Sequence, residues 1–301
     1  MQEFELINRY FSSLSKLNKS SLQLNDDVFY DKKNHLVISV DTYNEGNHFL
    51  DFKNPELVIK KIIRSSISDL ICKGVNPKFY FISGSGNKKK FSKNNLLKIS
   101  KSLSQEQKKY KIFLSGGDTI FSNKLSFSIT SVGYTKKIVY RNNAKFNDDI
   151  YVTGNLGDSF VGLQILKKKI KVKKKIRDYF INKYYKPDIN INFTKILLKY
   201  ANTSIDISDG LIDDLKKMIN RQYLSYTLNQ NKVPISKNLT KLILEKKLQK
   251  SKLISNGDDY QILFTASANK SRIIQNVSRK KGVKVTKIGK IISGNVKSAI
   301  I

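Results

Sequence analysis

The chain has 301 residues, 40% of them hydrophobic and 10% aromatic, and its 56 Lys and Arg against 24 Asp and Glu give a formal net charge of +32. The length allows two domains, and the hydrophobic content is that of a globular protein despite the charge. A single cysteine, Cys72, excludes an internal disulfide, and with only two histidines a zinc site of the usual ligands is not expected.

The positive charge invites a nucleic-acid interpretation, which we keep as one alternative. The lysines are scattered over many segments, and the densest run, 167–175, has no interleaved aromatic residue and is typical of a solvated surface. Basicity alone explains only non-specific affinity, so no specific nucleic-acid partner is expected. The start of the chain carries acids and no apolar signal core, and no apolar run approaches membrane-spanning length. We therefore expect a cytoplasmic protein without a membrane partner.

The first predicted element is a short amphipathic helix over 5–14, which would pack on a core or on a partner chain. After it, Asn25, Asp26 and Asp27 lead into an apolar stretch. Adjacent carboxylates cannot both be buried without a counter-charge, so these two acids are either exposed or metal-bound.

Residues 36–40 (LVISV) form a predicted strand that ends on Asp41 and Thr42. The loop that follows holds His48. A lone histidine is more often structural or on the surface. Its position just past a strand that ends in an acid favours a functional role.

A helix is predicted from Pro55 until Gly74 stops it. Asp69 lies near its C-terminal end, where the helix dipole disfavours an anion, so a carboxylate that faces a cation is the better explanation. The alternative is an exposed Asp69 paired with Lys73 at i,i+4.

The next predicted strand, 78–83, is followed by a helix over about 96–110 and a strand over 111–114. The last of these runs into Ser115-Gly116-Gly117-Asp118-Thr119. Two glycines before an acid let backbone N–H groups approach an anion while the acid binds a metal, but a plain hairpin turn is equally compatible with this segment.

The second half opens with a predicted strand at 150–153 and a helix over 159–166, for which Asp158 would be the N-cap. A further helix is predicted around 192–200. Residues 204–215 (SIDISDGLIDDL) then read as strand, turn and helix, with carboxylates at the turn, where a hard cation and a phosphate could both be held.

Within 204–215, Asp206 follows an apolar residue in a strand-like run, where a carboxylate needs a partner. Asp213 and Asp214 are interpreted as ordinary first-turn acids. Another acidic glycine loop, 256–259, precedes a strand at 261–265, and the last segment, 283–301, is predicted to form a pair of strands.

Acids thus recur after separate apolar runs. Such a set is explained if they converge on several Mg²⁺ ions, which prefer carboxylate and phosphate oxygens. Because the chain has no P-loop, ATP-dependent phosphoryl chemistry held through metals is the leading hypothesis from the residues. The acids concerned are Asp27, Asp41, Asp69, Asp118, Asp206 with Asp209, and Asp258 with Asp259.

The chain carries a colinear series of motifs: EFELINRYF, NDDVF, VISVDTYNEGNHFLD, SISDLICKGVNP, LSGGDT, YRNNAKFNDDIYVTGNLGD, SIDISDGLIDDL, NGDDYQILFT and IGKI. Together they resemble the thiamine-monophosphate kinase family, which is related to AIR synthetase and selenophosphate synthetase. The fold that the resemblance implies is α/β (α+β), AIR-synthetase-like, with mixed sheets and helices packed on one face. Residues 1–136 would form a domain for metal, ATP and homodimer contacts, and 137–301 a domain that completes the site.

The resemblance also implies residue roles. Mg²⁺ would be bound by Asp27, Ser39, Val40, Asp41, Asp69, Asp118 and Asp206, with a further ion at Asp209. The ATP phosphates would be contacted by Gly117, Asp118, Arg141 and Ser208, and thiamine monophosphate by His48 and Asp258.

The implied reaction transfers the γ-phosphoryl group of ATP to thiamine monophosphate and gives thiamine diphosphate. The acceptor phosphate is already anionic near neutral pH, since its second pKa is about 6, so no general base is expected.

This sequence has Asn25, Asp258 and Gln261 where the family usually has Gly, Glu and Glu. Asp258 is one methylene shorter than Glu, which affects its reach. The alternatives are a related ATP-dependent synthetase or kinase with another acceptor, and a basic nucleic-acid-binding protein.

Overall fold

Two mixed β-sheets with helices packed against them make up the computed structural model, which describes residues 3–301. The first sheet has the order β1-β2-β5-β3-β4 and is antiparallel except for the parallel pair β3–β4. The second has the order β11-β8-β10-β6-β9-β7 and is antiparallel except for β11–β8. The strands are β1 Phe29–Asp31, β2 Leu36–Asn44, β3 Pro77–Gly86, β4 Phe113–Phe121, β5 Ser126–Tyr134, β6 Asp149–Thr153, β7 Thr203–Asp206, β8 Leu224–Leu228, β9 Ile262–Ala266, β10 Val285–Ser293 and β11 Ala299–Ile300.

The helices confirm the predicted mixed α/β class. None of those described combines the length and apolarity that a bilayer crossing requires. They are α1 Glu3–Leu6, α2 Pro55–Cys72, α3 Lys93–Tyr110, α4 Asp158–Leu166, α5 Lys174–Tyr185, α6 Thr194–Tyr200, α7 Leu211–Met218, α8 Lys237–Lys246, α9 Lys250–Ile254 and α10 Ser271–Lys280.

Helix α2 lies between the two sheets and contacts β2 and β5 of the first and β7 of the second. It begins at Pro55, and nearly all of its residues are buried, including the polar Lys61 and Arg64. A helix buried on all sides belongs to the interior of a protein. The main hydrophobic core accordingly joins residues of both halves, such as Phe127 and Phe264. The predicted division after residue 136 falls in the connection between the sheets and stays a prediction.

The structure excludes some of the local alternatives and shows other predictions to be wrong. The hairpin turn, one of two alternatives for the Gly-Gly-Asp segment, is excluded because β4 continues through it to Phe121 in a parallel pair with β3. The core is excluded as the packing partner of the N-terminal helical segment, since Tyr10, Phe11 and Leu14 are 51%, 47% and 79% exposed, and its packing on a partner chain stays a prediction. The final two strands do not pair with each other, because both pair with β8, a strand that the sequence analysis missed.

A buried ion pair joins α2, α3 and the second half of the chain. The Arg64 guanidinium donates to both carboxylate oxygens of Glu106, at 2.8 and 3.0 Å, and to the carbonyl oxygen of Pro187 at 3.1 Å. Both side chains are almost fully buried, at 6% and 3% exposure. A bidentate pair of this kind fixes the orientation of the groups it joins.

We predict that Arg64→Met lowers the free energy of unfolding by about 3–5 kcal/mol, because Glu106 would be left as an uncompensated buried charge. Urea unfolding measures the change. Arg64→Met/Glu106→Leu should recover at least half of the loss, since it removes both charges. Lys53→Met, in the exposed pair with Asp51, serves as the control and should cost less than about 1 kcal/mol. A double variant as unstable as Arg64→Met would contradict this account.

Candidate functional site

A cleft of about 750 Å³ opens between the two halves of the molecule. One end is acidic and the other is rich in aromatic and polar side chains. The predicted site residues that line it are Val40, Asp41, His48, Asp69, Asp206, Ser208, Asp209 and Asp258.

The acidic end is assembled from elements that are far apart in sequence. Asp27, Asp69 and Asp206 each offer a carboxylate oxygen, and these oxygens lie within 4.8 Å of one another. Asp41 joins them from β2 and accepts a hydrogen bond from the Tyr43 hydroxyl at 2.9 Å. We refer to these four acids as the acidic cluster.

Burial raises the pKa of Asp69 well above its usual value, and the charges of Asp41 and Asp206 raise it further. The pKa of Asp206 is raised as well, first by burial, although Ser68 donates a hydrogen bond to it at 2.6 Å. Like charges held together away from water favour protonation unless a cation is bound. Carboxylate oxygens are the ligands that Mg²⁺ prefers, so the donor set fits this ion.

Two other predicted metal contacts differ from each other. Val40 lines the cleft, whereas Ser39 is buried and its hydroxyl donates to the Ser66 carbonyl oxygen at 3.4 Å. Of these two residues, only Val40 faces the cleft.

Asp26 and Asp27 are not exposed, since each side chain is only 5% accessible. Their counter-charges are protein side chains. Arg141 pairs with Asp27 and donates to Asp26 through its backbone N–H at 2.9 Å. Lys73 contacts Asp26 and Asp27 at 2.7 and 2.6 Å. The i,i+4 pairing of Lys73 with Asp69, which the sequence left open, is replaced by these contacts, and Arg141, predicted at the ATP phosphates, is here held by Asp27.

The turn between β7 and α7 is organised by Asp214. Its Oδ2 accepts hydrogen bonds from the backbone N–H groups of Asp209 and Gly210, both at 3.0 Å. Burial raises the pKa of Asp214 to about 7. Its interpretation as an ordinary first-turn acid missed this role. Asp213 does match that interpretation, being exposed and 3.7 Å from Lys216.

The turn also packs backbone to backbone against the second acidic loop. The Asp258 N–H donates to the Ser208 carbonyl oxygen at 2.9 Å. A Cβ atom at Gly257 would lie 1.6 Å from the same oxygen, so only glycine allows this approach. Asp209, paired with Lys217, and Asp258 are thereby fixed side by side on the cleft wall.

The other end of the cleft brings His48 and Asp258 together with a lysine that the sequence analysis did not single out. Lys61 is fully buried, contacts Asp258 at 2.7 Å, and lies 3.9 Å from the ring centroid of Tyr184. The Tyr260 hydroxyl donates to the same Asp258 oxygen at 3.0 Å. Partial desolvation lowers the pKa of His48, and the nearby ammonium of Lys61 acts in the same direction, while Asp258 opposes it.

Gly117 and Asp118 lie outside this cleft, on the edge strand β4. Across the sheet, Asp118 is opposite Ser83, Ser83 is opposite Ser128, and Ser128 is opposite Thr42. Three strand spacings separate Asp118 from Thr42, about 14 Å. Within one chain, Asp118 is therefore too far from Asp41 to share a metal ion with it.

Asp158 and Asp259 have structural partners behind the cleft. Asp158 is not an N-cap, since its carboxylate accepts hydrogen bonds from the hydroxyls of Tyr179 and Ser236, both at 2.7 Å. Asp259 accepts from the Gly157 N–H at 2.8 Å and so fixes the start of α4.

Comparison with known proteins connects this geometry to a family. Residues 25–135 match the model of the AIR synthase related protein N-terminal domain. A thiamine-monophosphate kinase of Buchnera aphidicola subsp. Schizaphis graminum is 37% identical over 97% of this chain and 91% of the relative. That of Haemophilus influenzae is 33% identical over 97% and 89%.

Solved structures agree with the sequence relatives. AaThiL complexed with AMPPCP and TMP superimposes with a TM-score of 0.86 at 28% identity, covering 99% of this chain and 93% of that one. Thiamine monophosphate kinase from Aquifex aeolicus gives a TM-score of 0.81 at 27% identity, covering 100% and 97%. With relatives above 30% identity over nearly its whole length, the chain belongs to the thiamine-monophosphate kinase family.

Proposed function

We propose that this protein transfers the γ-phosphoryl group of ATP to thiamine monophosphate, in the presence of Mg²⁺, and releases thiamine diphosphate. The observation that carries the proposal is the acidic cluster at one end of a cleft whose other end holds His48 and Asp258. AaThiL, which has been solved with AMPPCP and TMP, has the same fold over nearly the whole chain.

Asp27, Asp41, Asp69 and Asp206 would hold Mg²⁺, with the Val40 carbonyl and Asp209 beside them. When bound, Mg²⁺ would neutralise charge on the phosphates and on these acids. Ser208, at the turn before α7, is placed to donate to a phosphate oxygen, while Arg141 contributes positive charge next to Asp27. The acceptor phosphate is its own nucleophile, so the residues have to align the two phosphates rather than remove a proton.

Asp258 and the aromatic side chains around it fit the cationic part of thiamine. Tyr43, His48 and Tyr260 line the cleft beside the carboxylate. Aromatic faces and an anion together favour a flat organic cation. Because Lys61 and Tyr260 already engage one oxygen of Asp258, its other oxygen is the one left to face a substrate.

We further propose that a homodimer completes the site and that Gly117 and Asp118 act from the second copy. All nine residues of β4 are exposed, and Phe113, Ile120 and Phe121 are 52%, 55% and 67% accessible. A long apolar edge strand calls for a covering partner. Val40 and Phe81 add apolar surface on the same sheet, at 65% and 40%. A second copy over this sheet would bring its own Asp118 to the acidic cluster.

We also propose that the protein is located in the cytoplasm. The lone cysteine, Cys72, is free and buried, as is common where thiols stay reduced.

Incubation of the protein with ATP, Mg²⁺ and thiamine monophosphate should give thiamine diphosphate and ADP in equal amounts. Chromatography of the thiochrome derivative measures thiamine diphosphate, and chromatography with ultraviolet absorbance measures ADP. Excess EDTA should stop the reaction, because the acids would then lack their counter-ions. Consumption of thiamine itself, or ADP release without thiamine diphosphate, would refute the acceptor and favour a related enzyme with another substrate.

Asp69→Asn should reduce kcat by about 100-fold or more, since a metal-held charge in the transition state contributes several kcal/mol. The fold should persist, because burial already disfavours the ionised form of Asp69 and Asn has the same shape. Steady-state kinetics with circular dichroism measure both effects. The matched control is Asp213→Asn, an exposed acid on α7, which should retain activity. An active Asp69→Asn protein would overturn the metal assignment.

Mixing inactive Asp69→Asn with inactive Asp118→Asn protein tests whether Asp118 acts across a dimer. After dissociation and random re-pairing, half of the dimers are mixed and each contains one intact site, so about a quarter of wild-type activity should return. If Asp118 acted within its own chain, every site in the mixture would carry a defect. Absence of any recovery, with mixed dimers demonstrated by mass spectrometry, would exclude action from the partner.

A further inference from the structure

The ammonium group of Lys73 has a set of partners that is unusual for a lysine. The side chain has no exposed surface. Its Nζ lies 2.7 Å from Asp26 Oδ1, 2.6 Å from Asp27 Oδ2 and 2.7 Å from the carbonyl oxygen of Ser204. A lysine ammonium has three N–H donors, and here three oxygen atoms accept them.

These three oxygen atoms come from two separate parts of the chain. Asp26 and Asp27 precede β1, whereas Ser204 is in β7, two residues before Asp206. Lys73 itself follows the last turn of α2, four residues after Asp69. Carboxylate and carbonyl oxygens are also the kind of ligand that a hard divalent cation binds. Mg²⁺ requires distances of about 2.0–2.1 Å, so the observed spacing is that of an ammonium.

The position of the ammonium links it to the acidic cluster. Asp27 uses Oδ2 for Lys73, and Asp27 is also one of the three acids whose oxygens meet within 4.8 Å. Arg141 contacts the same carboxylate. Asp26 and Asp27 are thus balanced by two protein cations, while Asp69 and Asp206 share the interior with them. Removal of Lys73 would leave a buried carboxylate pair with one cation.

We propose that Lys73 is a resident cation beside the acidic cluster: its ammonium occupies the position between Asp26 and Asp27 where a further divalent ion could bind, next to the Mg²⁺ site that Asp27 shares with Asp69 and Asp206. The inference rests on the proposed function in that the cluster binds metal. It has two consequences: this chain needs one divalent ion fewer than its carboxylates would otherwise hold, and Lys73 joins the N-terminal acids to β7 before metal or nucleotide binds.

Mn²⁺ binding without substrates tests the inference, because Mn²⁺ accepts the same oxygen ligands and its free form is counted by electron paramagnetic resonance. Lys73→Met keeps the unbranched shape of the side chain, shortens it by one atom and removes its charge. We expect Lys73→Met to bind one more Mn²⁺ per chain than the wild type. Its thermal unfolding midpoint should fall in EDTA and recover with Mn²⁺, whereas the midpoint of the wild type should change less.

Two further variants separate this role from a merely structural ion pair. Lys90→Met removes the same charge from a pair with Glu45 outside the cluster and should leave the number of bound ions unchanged. Lys73→Met/Asp26→Asn removes the cation together with one carboxylate, and should return the Mn²⁺ stoichiometry to the wild-type value and raise the unfolding midpoint in EDTA above that of Lys73→Met.

An unchanged stoichiometry in Lys73→Met would overturn the inference, and so would a protein that stays unfolded at every Mn²⁺ concentration, since no ion would then replace the ammonium. Failure of the proposed function has a different signature. A wild type that binds no Mn²⁺ refutes metal binding in the native cluster, whereas the role of Lys73 is still decided by whether Lys73→Met gains an ion.

Discussion

Negative charge held away from water is the constraint on which the rest of this structure depends. In a protein of net charge +32, the side chains of Asp26 and Asp27 are only 5% exposed and Asp206 is 3% exposed. A buried carboxylate is tolerated only with a partner. Lys73 and Arg141 neutralise part of this negative charge. The raised pKa values of Asp69 and Asp206 indicate that side chains do not neutralise the remainder. Cation binding would therefore stabilise the fold and prepare the site through the same groups.

One face of α2 organises that charge. Lys61, Ser65, Asp69 and Lys73 recur at every fourth position, so they lie in a row along the helix. Lys61 meets Asp258 at the acceptor end of the cleft, Ser65 and Asp69 line its wall, and Lys73 meets Asp26 and Asp27 beyond the cluster. Eight residues separate Lys61 from Asp69, which is about 12 Å along a helix. The helix thus sets the distance between the two ends of the cleft.

Much of this could be predicted from the sequence, because the signals were local. The strand, turn and helix around Asp206, and the acids that follow apolar runs, need only periodicity and turn chemistry. The buried Lys61 and Lys73 were missed, since a lysine on a helix usually faces solvent. The signal that could have identified them is the row of polar residues at every fourth position, Lys61, Ser65, Asp69 and Lys73, on a helix whose other positions are mostly apolar. The position of Asp118 could not be predicted, because the order of strands in a sheet depends on long-range pairing that the sequence of β4 does not encode.

The backbone contact between the two acidic loops explains how the second half can take part without losing alignment. Because the Asp258 N–H donates to the Ser208 carbonyl oxygen and Gly257 allows the close approach, the phosphate-side and acceptor-side residues of this half cannot move independently. On the opposite wall, α2 holds Asp69 and Lys61 at a fixed spacing. The order of groups along the cleft is therefore fixed on both walls. For a transfer between two phosphates that requires no general base, this alignment is the main contribution that protein residues can make to the rate.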